Sequence, residues 1–148
     1  MKIGLIDVDG HNFPNLVLMK LSAWHKAQGD TVEWWWGWDH YDRIYMSKVF
    51  DDTYTLDISE PVNGEEIVKG GTGYDLKGTL PDEVGHMMPD YSIYPKITKD
   101  TAFGFLTRGC PRGCHFCIVT EKEGRRTEKV ADLSEWWDGQ KNIKLLDP

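Results

Sequence analysis

Apolar and polar positions alternate along this chain in blocks that read as strand, helix, strand. Lys2 to Asp7 is a short apolar run bounded by a polar turn, the pattern of a buried strand. Asp7-Val8-Asp9-Gly10-His11-Asn12 is turn-like, and Pro14 suits the first turn of a helix with Asn12 or Phe13 near its cap. Leu16, Val17, Met19, Leu21, Ala23 and Trp24 give the stretch from Leu16 to Ala27 a broad apolar helical face, and Gly29 suits its end. Thr31 to Trp36, rich in β-branched and aromatic residues, reads as a second strand. Short connections between these blocks predict a right-handed βαβ unit and a parallel sheet. Arg43 to Val49 predicts another strand, and Ile67-Val68-Lys69 a short one ending at Gly70-Gly71-Thr72-Gly73.

The pattern changes after residue 80. Pro81, Pro89 and Pro95, with Gly85 and two methionines, read as an irregular linker or an arm between units. Ala102 to Thr107 is then a strand leading into a cysteine-rich loop. Leu133 to Asp138 reads as a short helix with Asp132 or Ser134 at its start and Gly139 at its end, and Asn142 to Leu146 as a final strand. The expected fold class is α/β: an open parallel, Rossmann-like, doubly wound sheet over 1–80, a linker over 81–101, and the first strands of an incomplete (β/α) barrel over 102–148. Trp34-Trp35-Trp36 is read as core packing, with a ligand-stacking platform as the alternative.

Length and composition narrow the class. At 148 residues, 40% apolar and 28% charged, the chain suits one ordinary globular domain with a real core. No apolar run approaches the ~18–20 residues that span a bilayer, so no membrane role is expected. The opening residues turn acidic too early for a signal peptide, and a reducing, cytoplasmic location is the default expectation. The net charge of -7 argues against a nucleic-acid partner, which would need clustered Lys and Arg. Locally, Arg108, Arg112, Lys122, Arg125, Arg126 and Lys129 crowd the cysteine segment; they read either as favouring an anionic cluster or cofactor or as a solvated loop.

The three cysteines lie within eight residues, a poor disulfide framework and a grouping that points to metal or redox chemistry. Cys110, Cys114 and Cys117 are spaced Cys-x3-Cys-x2-Cys, with Pro111, Gly109 and Gly113 making the loop compact. Such a loop can aim thiolates and backbone N–H groups at one centre, as iron–sulfur sites do. Three thiolates leave one iron of a four-iron cubane open, the mark of a reactive rather than a structural metal site. The competing reading is a zinc module that completes the three cysteines with His115, His86 or His11, its α/β unit binding a partner or small ligand.

The Cys-x3-Cys-x2-Cys spacing, Phe116 before the last cysteine, and the strand 102–107 running into Arg108-Gly109-Cys110-Pro111 resemble the cluster loop of radical S-adenosylmethionine enzymes. The resemblance covers roughly the last third of the chain. It implies that Cys110, Cys114 and Cys117 hold a 4Fe-4S cluster whose open iron chelates S-adenosylmethionine. It also implies reductive cleavage to a 5′-deoxyadenosyl radical, with electrons from a donor such as flavodoxin or ferredoxin. Phe116 would lie against the adenine. Ile143 to Asp147 is similar to the second barrel strand, which makes Asp147 a candidate contact for the amino group of the methionine moiety; a solvent-facing turn aspartate is the plainer alternative. A complete barrel takes ~250 residues, so the chain is expected to be a fragment, a truncated form or one of two subunits. The substrate-lining residues would lie in the missing strands.

The first ~75 residues resemble the cobalamin-binding-like domain that precedes the barrel in one branch of that family. Its cobalt-ligand motif Asp-x-His-x-x-Gly is met by Asp9 and His11, but Pro14 replaces the glycine; Gly70-Gly71 falls where a glycine pair would admit a nucleotide tail. Proline fixes φ and adds bulk where a large flat ligand must approach, so cobalamin binding is not expected.

Overall fold

Strand β1 (Lys2–Asp7) is buried on both of its faces, as the central strand of a parallel sheet must be. The computed structural model describes residues 1–10 and 12–148. The chain divides into two units, Met1–Ile97 and Thr98–Pro148.

In the first unit, β1 is flanked by β2 (Thr31–Trp34) and β3 (Tyr41–Ser47), and β4 (Gly64–Gly70) completes a four-stranded sheet of order β2-β1-β3-β4. All pairings are parallel, with Ile3 opposite Val32 and Arg43, and Arg43 opposite Glu66. Helix α1 (Leu16–Ala27) joins β1 to β2. Its N-cap is Asn15 rather than Asn12 or Phe13. The Asn15 carboxamide oxygen accepts from Leu18 N at 3.2 Å while its Nδ2 donates to Ser47 Oγ at 2.8 Å. Asn12 instead turns the chain at φ 48°, and Pro14 lies outside the helix. The helix ends as expected before Gly29, whose φ of 85° suits glycine. Strand β2 stops two residues short of the expected Trp36; Trp35 N still donates to the Leu5 carbonyl at 2.9 Å, and its side chain packs with Ile6, Tyr41, Ile44 and Met46.

The two faces of this sheet are covered differently. On one, Leu18 and Leu21 of α1 pack with Ile3, Leu5, Tyr45 and Val84. His25 is buried there with both ring nitrogens satisfied, Nδ1 by Asp30 at 2.7 Å and Nε2 by the Tyr45 hydroxyl at 3.0 Å. On the other, Ile6, Tyr41, Ile44 and Met46 pack with Trp35, Ile67 and Tyr74. Among the described residues no helix lies in the connections 35–40 and 48–63. A doubly wound sheet would place helices on both faces; here aromatic side chains cover the second.

The proline-rich segment after residue 80 is irregular, as expected, but it is not a free connector. It contains the short helix α2 (Asp82–Gly85) and a 3-10 turn at Tyr91–Ile93. Val84 enters the α1 core, the Lys20 ammonium donates to the Gly85 carbonyl, and the Asp90 carboxylate accepts from Ser22 Oγ at 2.6 Å and Lys26 Nζ at 2.5 Å. At its end the Tyr94 hydroxyl donates to Asp7 at 2.5 Å.

Burial, and then the Asp7 carboxylate, push the Tyr94 phenol well above the ordinary tyrosine range; Tyr74 is raised in the same way by burial and by Asp57. A raised native pKa means that the fold keeps protons which the unfolded chain has lost. The resulting stabilisation is complete below about pH 10 and is lost as pH climbs beyond it. Tyr94→Phe should therefore flatten the alkaline decline in urea midpoint between about pH 10 and about pH 11.5. Equal declines in the two proteins would contradict this.

In the second unit, β5 (Thr101–Gly104) pairs in parallel with β8 (Asn142–Leu145), Ala102 opposite Ile143. Two short strands, β6 (Thr107–Arg108) and β7 (Glu128–Lys129), pair antiparallel, and α3 spans Val119–Glu123. The strand expected over 102–107 thus breaks at Phe105 and Leu106. The helix expected over 133–138 is a single 3-10 turn, Leu133–Glu135, closed by a capping box between Asp132 and Glu135. It ends because Trp136 leaves helical geometry at φ -143°; its indole, 1% exposed, lies on Gly104 and donates to the Phe105 carbonyl at 3.1 Å.

Candidate functional site

The cysteine loop is a closed excursion from the end of β6, and its neck is fixed by specific bonds. Gly109 holds φ 87°, and a Cβ there would collide with the Arg126 carbonyl oxygen, so only glycine fits. The two strands of the neck meet at three further points. Cys110 N donates to the Gly124 carbonyl at 3.1 Å, Gly109 N to Glu123 Oε2 at 3.1 Å, and Thr127 Oγ1 to the Gly109 carbonyl at 3.2 Å. Arg108 pairs with Glu123 at 2.6 Å and stacks on Phe105, its guanidinium carbon 3.8 Å from the ring centre. Beyond the neck, Gly113 turns the chain at φ 61°, and Cys117 N donates to the Cys114 carbonyl at 3.1 Å across a turn at His115 and Phe116.

All three cysteines are free thiols; Cys110 and Cys117 are half-buried and Cys114 is exposed. They share one loop, but among the described residues no group of three or more His, Cys, Asp or Glu side chains stands close enough to hold a metal ion. The donor set itself fits an iron–sulfur cluster, being three unpaired soft ligands on a glycine-turned loop. Phe116 is 80% exposed, and its ring meets His115 edge-on at 5.2 Å.

Asp147 is half-buried and already hydrogen-bonded within the chain. Its carboxylate accepts from Leu106 N at 2.8 Å, from Thr107 N at 3.0 Å and from Thr107 Oγ1 at 2.7 Å. It ties the end of β8 to the chain entering the cysteine loop, which makes it a positioning residue. Asp147→Asn would set an amide NH2 against these donors. The cost should be about 1–3 kcal/mol, the penalty for leaving buried partners unsatisfied. Hydrogen exchange at the Leu106 and Thr107 amides reads it directly, and unchanged protection would contradict the role. Glu123 and Gly124, which close the neck, carry no sequence signal, because the groups they meet, the Arg108 guanidinium and the Gly109 and Cys110 amides, lie fourteen or fifteen residues upstream.

The basic residues split in function. Arg108 and Lys129 are paired, with Glu123 and Asp132. Burial, followed by the nearby Arg108 charge, lowers the Lys122 pKa. Arg112, Arg125 and Arg126 are exposed, and the Arg125 guanidinium lies against Gly113. The second unit carries nine basic against eight acidic side chains, and the first unit eight against sixteen. The net negative charge therefore resides in the first unit, away from this segment of the sequence.

His11 lies outside the described residues, and the Asp9 and Gly71 candidates sit where the strands of the first unit's sheet end. Asp9 accepts from Val49 N at 2.5 Å and from Phe50 N at 3.3 Å. Gly71 holds φ 98° directly against the Lys48 carbonyl, with no room for a Cβ. The Lys48 side chain is buried, and its ammonium pairs with Asp52. Asp9 and Gly71 thus serve to join the ends of β1, β3 and β4. No protein-family model, curated protein or solved structure matches this chain.

Proposed function

We propose that this chain is an iron–sulfur protein of the radical S-adenosylmethionine type, with Cys110, Cys114 and Cys117 as the cluster ligands. The observation that carries the reading is the Cys-x3-Cys-x2-Cys spacing on a loop turned by Gly109 and Gly113 and pinned at its neck by Glu123 and Gly124. Bound there, the cluster would supply the electron for reductive cleavage of S-adenosylmethionine. The residues of this chain would do the rest: three thiolates bind, Asp147 and Glu123 hold the loop entrance, and the exposed Phe116 ring offers a flat face for the adenine.

The parallel β5–β8 pair fits the start of a (β/α) barrel, in which functional loops leave the carboxyl ends of the strands. Ile143 and Leu145 of β8 are 43% and 53% exposed, as apolar barrel residues are before neighbouring strands and helices cover them. The first unit would be a companion α/β domain that does not take cobalamin, and the electron donor would be a flavodoxin- or ferredoxin-like protein.

Anaerobic reconstitution with iron and sulfide, followed by counting of both and by visible spectroscopy, tests the reading. About four irons and four sulfides per chain are expected. Stoichiometric zinc without iron uptake would overturn it in favour of a structural zinc module.

A further inference from the structure

We propose that Cys114 and Cys117 form a reversible dithiol–disulfide couple at the tip of the loop, a redox modification site that leaves Cys110 reduced. The inference goes beyond the cluster reading and stands without it. The hydrogen bond from Cys117 N to the Cys114 carbonyl, 3.1 Å, closes a four-residue turn with His115 and Phe116 at its corners. Such a turn holds its first and fourth Cα atoms within ~7 Å, the separation that a disulfide bridges at ~4.4–6.8 Å. Both thiols are free, and Cys114 is exposed to a small oxidant.

Cys110 is placed differently. Its N–H is committed to the Gly124 carbonyl, and the preceding Gly109 is wedged at φ 87° under the Arg126 carbonyl. Bringing Cys110 into a bridge would disturb the neck of the loop. Joining Cys114 to Cys117 adjusts only side chains across a turn that already exists.

The chemistry needs an oxidant, here a small-molecule disulfide such as oxidised glutathione. The Cys114 sulfur, as thiolate, attacks one oxidant sulfur; the oxidant S–S bond breaks and one small thiol leaves. The Cys117 sulfur then attacks the mixed disulfide and displaces the second small thiol. The two cysteines together lose two protons and two electrons, and the oxidant gains them as two thiols. While the bridge stands, Cys110 alone remains as a thiolate donor, so oxidation and iron uptake exclude each other.

The test treats the reduced, metal-free full chain with oxidised glutathione, blocks remaining thiols by alkylation and maps the peptides. The expected result is loss of two of the three thiols and a mass lower by two hydrogens. The map should show Cys114 joined to Cys117 and Cys110 alkylated, and a dithiol reductant should restore all three thiols. Cys110→Ser should keep the bridge, and Cys114→Ser should replace it with a glutathione adduct on Cys117. A bridge that includes Cys110, glutathione adducts without an internal bridge, or three thiols left free would each overturn the proposal. Iron uptake by the reduced chain is scored separately. Uptake without a bridge leaves the cluster reading standing and this one refuted, and a bridge without uptake does the reverse.

Discussion

Cys110→Ser, Cys114→Ser and Cys117→Ser should each lose iron by at least tenfold after anaerobic reconstitution and desalting, with the far-ultraviolet circular dichroism unchanged. A hydroxyl is a harder, far less acidic donor than a thiol and does not replace thiolate at iron. Loss of a group that only hydrogen-bonds to a metal ligand already costs ~10–100-fold in metal affinity, and loss of a direct ligand should cost no less. The fold should survive because the loop neck is closed by backbone groups and by Glu123, not by the thiols. His115→Ala is the control: it should retain iron, since its ring meets Phe116 edge-on. Retention of full iron by any one of the serine variants would remove that cysteine from the ligand set. Loss in His115→Ala would shift the reading towards a mixed cysteine–histidine site.

The largest effect on stability is expected at Trp136. It is the biggest fully buried side chain among the described residues, and the other buried apolar residues of the second unit are Ala102 and Phe103. Trp136→Ala should cost ~3–5 kcal/mol, the usual penalty for a large aromatic cavity, and should also leave the Phe105 carbonyl without its indole donor. Gly104→Ala attacks the same contact from the other side, because the added Cβ would overlap the indole ring. Overpacking of this kind costs ~1–3 kcal/mol. Loss of hydrogen-exchange protection at the β5 and β8 amides measures both. The double variant should be less unstable than the sum of the two, because the alanine methyl enters space that the indole has vacated. Coupling of ~0.5–3 kcal/mol is the range for residues in contact. Strict additivity would mean that Gly104 and Trp136 do not pack on each other.

Much of the first unit was legible because its signals are local and redundant. The apolar run of β1, the helical face of α1, Gly29 at the helix end and the short connection to β2 each require only near neighbours, and they agree on a parallel sheet. The helix cap was misplaced by up to three residues because Asn12 and Asn15 are equally good caps in isolation. The choice fell to Asn15, whose amide also reaches Ser47, thirty-two residues away. The segment after residue 80 shows the same limit. Its prolines mark irregular backbone correctly, but that it is strapped to α1 through Val84 and Asp90 depends on partners more than sixty residues upstream.

In the second unit the division is sharper. By itself the sequence determined the chemistry on offer: three thiols at a characteristic spacing, glycines at Gly109 and Gly113 where the backbone adopts positive φ, and an aromatic beside the last cysteine. Tertiary structure alone decided how that chemistry is held. Asp147 closes on Leu106 and Thr107, Glu123 and Gly124 close on Gly109 and Cys110, and Trp136 breaks out of its helical turn to cover Gly104. The physical reason is common to all three. A carboxylate, a carbonyl or an indole N–H has many possible partners of equal chemical merit, and the buried neighbour it finds is set by chain geometry over tens of residues rather than by its own identity.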